Sequence, residues 1–303
     1  MSSSAAQNIY DTEDFFHNYA QLPRMKQGLA GASEWPLLYR MLPPVAGRRV
    51  LDLGCGDGIL SLWAASEGAA QVNAYDISVN MLQRAREKAE ALFAAGDDNR
   101  NKNKKPPVFA RMDLEDVNLD MPDGSVDVCI SGLALHYVSN FDALLSRVFR
   151  AMKPGGSFVF SIEHPMYTAP VVPGFRPMVE DAAAADAAVS SQNATGSSSG
   201  QGSAAQDSGS KFFWPVDSYF SEGQREVTWL NGGVQKQHRT MASYFNMLVA
   251  AGFVVKDMAE WGSTEDARRK HPDWPENVCP RFLLLAAQKP AALEEPASTP
   301  ARL

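Results

Sequence analysis

Three glycines at alternate positions follow an acid in the stretch Val50–Leu60, VLDLGCGDGIL, giving Asp52-x-Gly54-x-Gly56-x-Gly58. Glycines this dense cost conformational entropy, and they suit a backbone that turns tightly or lies against a ligand. Pyrophosphate-binding turns use G-x-G-x-x-G spacing. An acid two residues ahead of the first glycine would repel phosphate and favour a ligand that carries positive charge. Two further acids follow. Asp76, 18 residues after Gly58, is placed to accept from both hydroxyls of a ribose, a geometry that alone would also suit NAD. Asp113, in RMDLED, is a further acid at a strand end, with a turn cap as its ordinary alternative. For proton transfer the chain offers His136, His164 and His238, each of which has backbone bonding or packing as its ordinary alternative. His17 and His271 read as surface residues, and five histidines without HxH or HExxH spacing give no metal site.

The elements that must position these residues alternate. RRVLDLG (48–54), AQVNAYDIS (70–78), PVFARMDLED (107–116), SVDVCISGLALHYV (125–138) and SFVFSIEHP read as strands. Between them, GILSLWAASEG, VNMLQRAREKAEALFAAG and NFDALLSRVFRAMKPGG read as helices. That order predicts βαβ units and a parallel sheet covered on both faces. In such a sheet ligands bind beyond the carboxyl ends of the strands, where the glycine turn lies. MASYFNMLVAAGF then reads as a helix, and VVKDMAEWG with RFLLLAAQK as two closing strands.

A ligand with an ammonium and a sulfonium and no phosphate meets the charge requirement, and S-adenosylmethionine is one. The chain here resembles the class I S-adenosylmethionine-dependent methyltransferases, whose first motif is D/E-x-G-x-G-x-G, matched at 52–58, and whose turn before strand five is matched by MKPGG at 152–156. The resemblance spans about residues 46–163. It implies an α/β, Rossmann-like fold with a seven-stranded, mostly parallel sheet, an antiparallel last strand and helices on both faces. S-adenosyl-L-methionine is the implied cofactor, with Asp52, Gly54, Cys55, Gly56, Asp76, Ile77, Asp113, Leu114 and Ser131 as its implied contacts. Within the class the chain is similar to the type 11 small-molecule group, related to quinone-biosynthesis C-methyltransferases. The stretches that carry this are LPR, EWP, GLALHY, EHPMYTAP, WPVDSY and KQHRT.

Methyl transfer needs little beyond alignment of the nucleophile, and a base only where the acceptor arrives protonated. NPPY or DPPY after strand four, the mark of exocyclic amine methylation, is absent. The segment 164–240 is longer than a minimal fold requires and rich in aromatics, and is expected to cap a small-molecule pocket. Within it, 182–210 is Ala/Ser/Gly-rich and expected to be a flexible loop. The aromatic N-terminal segment 1–45 is expected to close over the cofactor with Tyr10, Tyr19 and Arg24. Arg24 would pair with the methionine carboxylate or an acidic substrate. The expected organisation is one domain over 1–290: helical cap 1–45, core 46–163, substrate cap 164–240 and closing helix and hairpin 241–290. A flexible tail, 291–303, would follow.

Composition bounds the partners. The 303 residues are 45% hydrophobic and 21% charged, with net charge −7, ordinary for a globular chain and unlike a duplex-binding one. Three scattered cysteines, no leader-like N-terminus and no apolar run of about 18 residues point to a cytoplasmic enzyme without a membrane span. The expected function is methyl transfer to a small organic acceptor. The alternative is a regulatory protein that binds the cofactor without transfer.

Overall fold

The computed structural model describes residues 7–94, 104–116, 121–177 and 211–291. The expected loop 182–210, the tail from 292 and most of the 96–105 connection lie outside the described residues.

Short apolar runs form a seven-stranded sheet. Its strands are β1 (Arg49–Leu53), β2 (Gln71–Asp76), β3 (Val108–Arg111), β4 (Val126–Gly132), β5 (Met152–Glu163), β10 (Val254–Trp261) and β11 (Phe282–Gln288), in the order β10-β11-β5-β4-β1-β2-β3. Four pairings are parallel, and β11 runs antiparallel to both β5 and β10, as the resemblance implies. Alternation along each strand divides the core. Leu51, Leu53, Cys129, Phe158, Phe160 and Ile162 face one layer, while Val50, Val128, Ile130 and Val159 face the other. The first layer is covered by α6 (Phe141–Ala151) and α8 (Met241–Ala250), the second by α3 (Trp35–Met41) and α4 (Ile59–Ser66). Phe158 and Phe160 are fully buried, so truncating either to Ala would cost about 3–5 kcal/mol.

After β3 the chain crosses back over β1 to form β4, so β1 and β4 flank the switch point. Their carboxyl ends open a crevice there. The glycine turn sits at its mouth. Gly54, Gly56 and Gly58 all have positive φ, and Gly58 caps α4 in the left-handed region. A Cβ on Gly54 would lie 2.2 Å from that of Ala134, whereas one on Gly56 would meet no protein atom within 4 Å.

The N-terminal residues fold over this crevice through α1 (Glu13–Tyr19) and α2 (Pro23–Gln27). Asp11 anchors them by capping α5 (Val79–Ala94). Its carboxylate accepts from Ser78 Oγ at 2.6 Å and from the amides of Asn80 and Val79 at 3.0 and 3.2 Å. Beyond β5 come α7 (Pro165–Thr168), a small sheet of β6 (Arg176–Pro177) with β7 (Phe212–Phe213), and the hairpin of β8 (Gly223–Trp229) with β9 (Gly232–His238). Gln7 ties this hairpin to the N-terminal segment. It donates to Gly233 O at 2.7 Å and accepts from Gln235 N at 2.8 Å. Two short helices were not legible in the sequence: α7, and α9 (Glu265–Lys270) between β10 and β11.

Candidate functional site

Two adjoining cavities open at the switch point. The smaller, about 150 Å³, is lined by the glycine turn, the ends of β2 and β4 and the N-terminal segment. Gly54, Cys55, Gly56, Asp76, Ile77, Asp113, Leu114, Tyr10, Tyr19 and Arg24 all line it. Asp76 ends β2 and reaches back to the turn. Its Oδ2 accepts from Gly56 N at 2.7 Å and its Oδ1 from Ser78 N at 2.9 Å. Burial raises its pKa above the usual carboxylate value. Tyr10 closes the cavity from the N-terminal side. Its ring meets Phe15 and Tyr19 edge-on, and its hydroxyl shares a 3.1 Å hydrogen bond with Tyr137. Burial pushes the Tyr19 phenol up to about 12 and holds Tyr10 and Tyr137 neutral too.

Two expected contacts sit elsewhere. Asp52 is fully buried beneath the turn and does not line the cavity; Ser61 Oγ donates to its Oδ2 at 2.5 Å. Burial lifts its pKa to about 7, with Asp76 and Asp57 adding to the rise. Ser131 faces the neighbouring strand, donating to Leu53 O at 2.6 Å, and the next residue, Gly132, lines the cavity instead. Strand alternation places them on opposite sides. Arg24 is already paired, with one amino group 3.0 and 3.1 Å from the two oxygens of buried Glu34.

The larger cavity, about 510 Å³, shares Tyr10, Tyr19, Arg24, Gly132, Leu133 and Tyr137 with the first. Its far wall comes from the end of β5, α7, the β8–β9 hairpin and Arg281. His136 lines it, almost fully buried, and burial takes its pKa down to about 4. Its Nδ1 accepts from Glu163 N at 3.4 Å, so in this neutral ring Nε2 carries the proton. His136 thus presents a donor there, not a base.

His164 and His238, expected near the chemistry, line neither of these two cavities, and both have their ring nitrogens engaged. His164 Nδ1 accepts from Met166 N at 3.0 Å, capping α7, which leaves Nε2–H to donate to Glu260 at 2.8 Å. His238 Nε2–H donates to Tyr219 O at 2.9 Å, and its Nδ1 accepts from Thr168 Oγ1 at 2.8 Å. The His164 bond to Glu260 fastens the cap to the sheet, and the His238 bonds tie elements of the cap to one another.

Residues the sequence did not single out complete the second cavity. Glu163 ends β5, and its Oε1 accepts from Lys236 Nζ at 2.6 Å. Arg281 lies 4.8 Å above the Tyr167 ring, and Arg225 is held by backbone carbonyls of Ala169, Ser218 and Ser221. The two cavities differ in sign. Among described residues the first is lined by Asp57, Asp76, Asp113 and Glu115 against Arg24. The second is lined by Arg24, Arg225, Lys236 and Arg281 against Glu163. An acidic cavity at a glycine turn, with open space where a Gly56 Cβ would be, fits a cationic adenosyl ligand and disfavours a pyrophosphate.

Comparison with known proteins agrees. A family described as "Methyltransferase domain" matches residues 51–160. The crystal structure of an S-adenosylmethionine-dependent methyltransferase from Mesorhizobium loti is 37% identical, with a TM-score of 0.65 over 86% of this chain and 100% of that one. The chain belongs to the S-adenosylmethionine-dependent methyltransferases. A putative S-adenosylmethionine-dependent methyltransferase from Listeria monocytogenes is 30% identical, with a TM-score of 0.60, and covers 85% of this chain and 98% of its own. Malonyl-[acyl-carrier protein] O-methyltransferase of Pectobacterium atrosepticum is 32% identical over 124 residues, 41% of this chain and 42% of that protein. This methyltransferase is an enzyme whose cofactor is S-adenosylmethionine. Among the described residues no helix is long and apolar enough to cross a membrane.

Proposed function

We propose that the methyltransferase transfers a methyl group to an oxygen of a small, planar, acidic acceptor bound in the larger cavity. The carrying observation is the pair of cavities of opposite sign that meet at Gly132, Leu133 and Tyr137.

In this reading Gly54 and Gly56 let the backbone approach the methionine portion of the cofactor, Asp76 accepts from its ribose hydroxyls, and Asp113 with Leu114 meets the adenine. Tyr10 and Tyr19 close over it and exclude water. The bound cofactor supplies an electrophilic methyl on a sulfonium that is already a good leaving group. What remains for the protein is alignment, and holding the acceptor at roughly 3–3.5 Å from that carbon is the main source of rate.

The larger cavity has the volume of a small-molecule site. Tyr167, Phe175, Trp214 and Trp229 offer flat apolar walls, and Tyr167 and Trp214 stack at 4.6 Å. Arg24 and Lys236 are paired with Glu34 and Glu163, and the remaining cations, Arg225 and Arg281, favour an anion. The partial similarity to an O-methyltransferase supports an oxygen acceptor.

The test is label transfer. Methyl-labelled S-adenosylmethionine, incubated with the full chain and a cell extract, should place label in small molecules retained on anion exchange. Label confined to cationic compounds or macromolecules would refute the proposed acceptor class.

A further inference from the structure

The larger cavity contains one ionised hydrogen-bond acceptor among its described lining residues, and half of it is unused. Glu163 Oε1 is taken by Lys236 Nζ, whereas Oε2 is buried and has no partner among the described residues. Lys236 is itself only 5% exposed and comes from β9, so the strand end and the hairpin together fix the carboxylate. Burial pushes the Glu163 pKa up, but the Lys236 and Arg281 cations more than offset this and hold the group ionised.

An ionised, buried oxygen without a donor is costly unless a ligand brings one. The other groups near it do not compete for that role. His136 presents Nε2–H, and the Tyr137 hydroxyl is bonded to Tyr10. Arg281 sits on the same cavity wall over Tyr167 and, among the described residues, its guanidinium has a single 3.4 Å hydrogen bond, to Glu276 Oε1, which leaves most of its donors for a ligand.

We propose that the acceptor is a small aromatic hydroxy acid whose hydroxyl donates to Glu163 Oε2 and whose acid group is held by Arg281, with Glu163 as the general base. This rests on the methyltransferase reading above. As the acceptor oxygen bonds to the methyl carbon, its proton passes to Glu163 Oε2. The carbon–sulfur bond breaks with its electron pair left on sulfur, giving a neutral thioether. Glu163 then returns the proton to water. Lys236 positions the carboxylate and does not touch the acceptor.

The experiment uses the full chain saturated with S-adenosylhomocysteine and titrated with the three hydroxybenzoates and their methoxy counterparts, which lack the proton. In the wild type at least one hydroxybenzoate should bind at least tenfold more tightly than its methoxy partner. In Glu163→Gln that ratio should fall below twofold, and Glu163→Asp should restore part of it. Arg281→Met should weaken all the benzoates at least tenfold and keep the ratio. S-adenosylhomocysteine affinity should stay within twofold in all three variants, which also reports that they fold. Equal binding of the hydroxy and methoxy compounds, no binding of any hydroxybenzoate, or an unchanged ratio in Glu163→Gln would overturn the proposal. If S-adenosylhomocysteine itself failed to bind the wild type, the methyltransferase reading would fall instead.

Discussion

Gly54 and Gly56 stand two residues apart in one turn, yet replacing each by Ala should fail in different ways. Both have positive φ, 69° and 54°, so a side chain at either costs about 1–2 kcal/mol of backbone strain. At Gly54 the new Cβ would also lie 2.2 Å from Ala134 Cβ, and overpacking of that kind adds about 1–3 kcal/mol. Gly54→Ala should therefore lose about 2–5 kcal/mol, which at roughly 2 °C per kcal/mol is a Tm drop of roughly 4–10 °C. At Gly56 the Cβ meets no protein atom and enters the space of the smaller cavity. The free variant should lose only about 1–2 kcal/mol, but its response to ligand should collapse. S-adenosylhomocysteine at 100 times the wild-type Kd stabilises the wild type by about 2.7 kcal/mol, and a hundredfold loss of affinity leaves about 0.4 kcal/mol. Thermal unfolding of both variants with and without ligand reads all of this. A full ligand shift in Gly56→Ala would refute the placement of the cofactor against this turn, and an unchanged Tm in Gly54→Ala would refute its close packing on Ala134.

Asp76→Ala should weaken S-adenosylhomocysteine binding at least tenfold by titration calorimetry. It should also cost the free protein about 1–3 kcal/mol, because the Gly56 and Ser78 amides lose their acceptor; unchanged affinity would remove Asp76 from the site. His238→Ala should lower Tm through the loss of its bonds to Thr168 and Tyr219 while cofactor affinity holds. Lost turnover at unchanged Tm would return His238 to the chemistry. Folding lowers the His136 pKa from 6.5 to about 4, so its neutral form is favoured in the folded state. That contribution is present above pH 6.5 and is lost, by about 3 kcal/mol, as pH falls toward 4. Asp52, raised to about 7, works in the opposite sense: its cost is present above pH 7 and is relieved on acidification. Urea unfolding at pH 7 and 4.5 should therefore show a smaller acid-side loss in His136→Asn than in the wild type, and equal losses would contradict the assignment.

The cofactor half of the site was legible because its signals are local. Asp52 and Asp76 lie at the ends of β1 and β2, the glycines and Asp113 come just after strands, and strand periodicity places strand ends. Periodicity was also the reason one expectation slipped. Ser131 and Gly132 are adjacent, and only the register of β4 decides which opens to the cavity. The acceptor half depends on contacts between distant residues. Glu163 and Lys236 are 73 positions apart, and Asp11 caps a helix 67 to 69 positions away. Histidine content drew attention to His164 and His238, since sequence alone does not show that both ring nitrogens of each are committed. Glu163, beside His164, was the less conspicuous residue. Its significance comes from the hairpin that brings Lys236 against it.

The central claim is that cofactor and acceptor occupy adjoining cavities and meet at Gly132, Leu133 and Tyr137. A crystal structure of the full chain with S-adenosylmethionine tests it most directly. The account predicts adenosine between Asp76 and Asp113, the methionine portion along Gly54 to Gly56, and the methyl-bearing sulfur at the shared wall, facing the larger cavity. A cofactor bound elsewhere, or one whose methyl faces away from the cavity of Glu163 and Arg281, would contradict it.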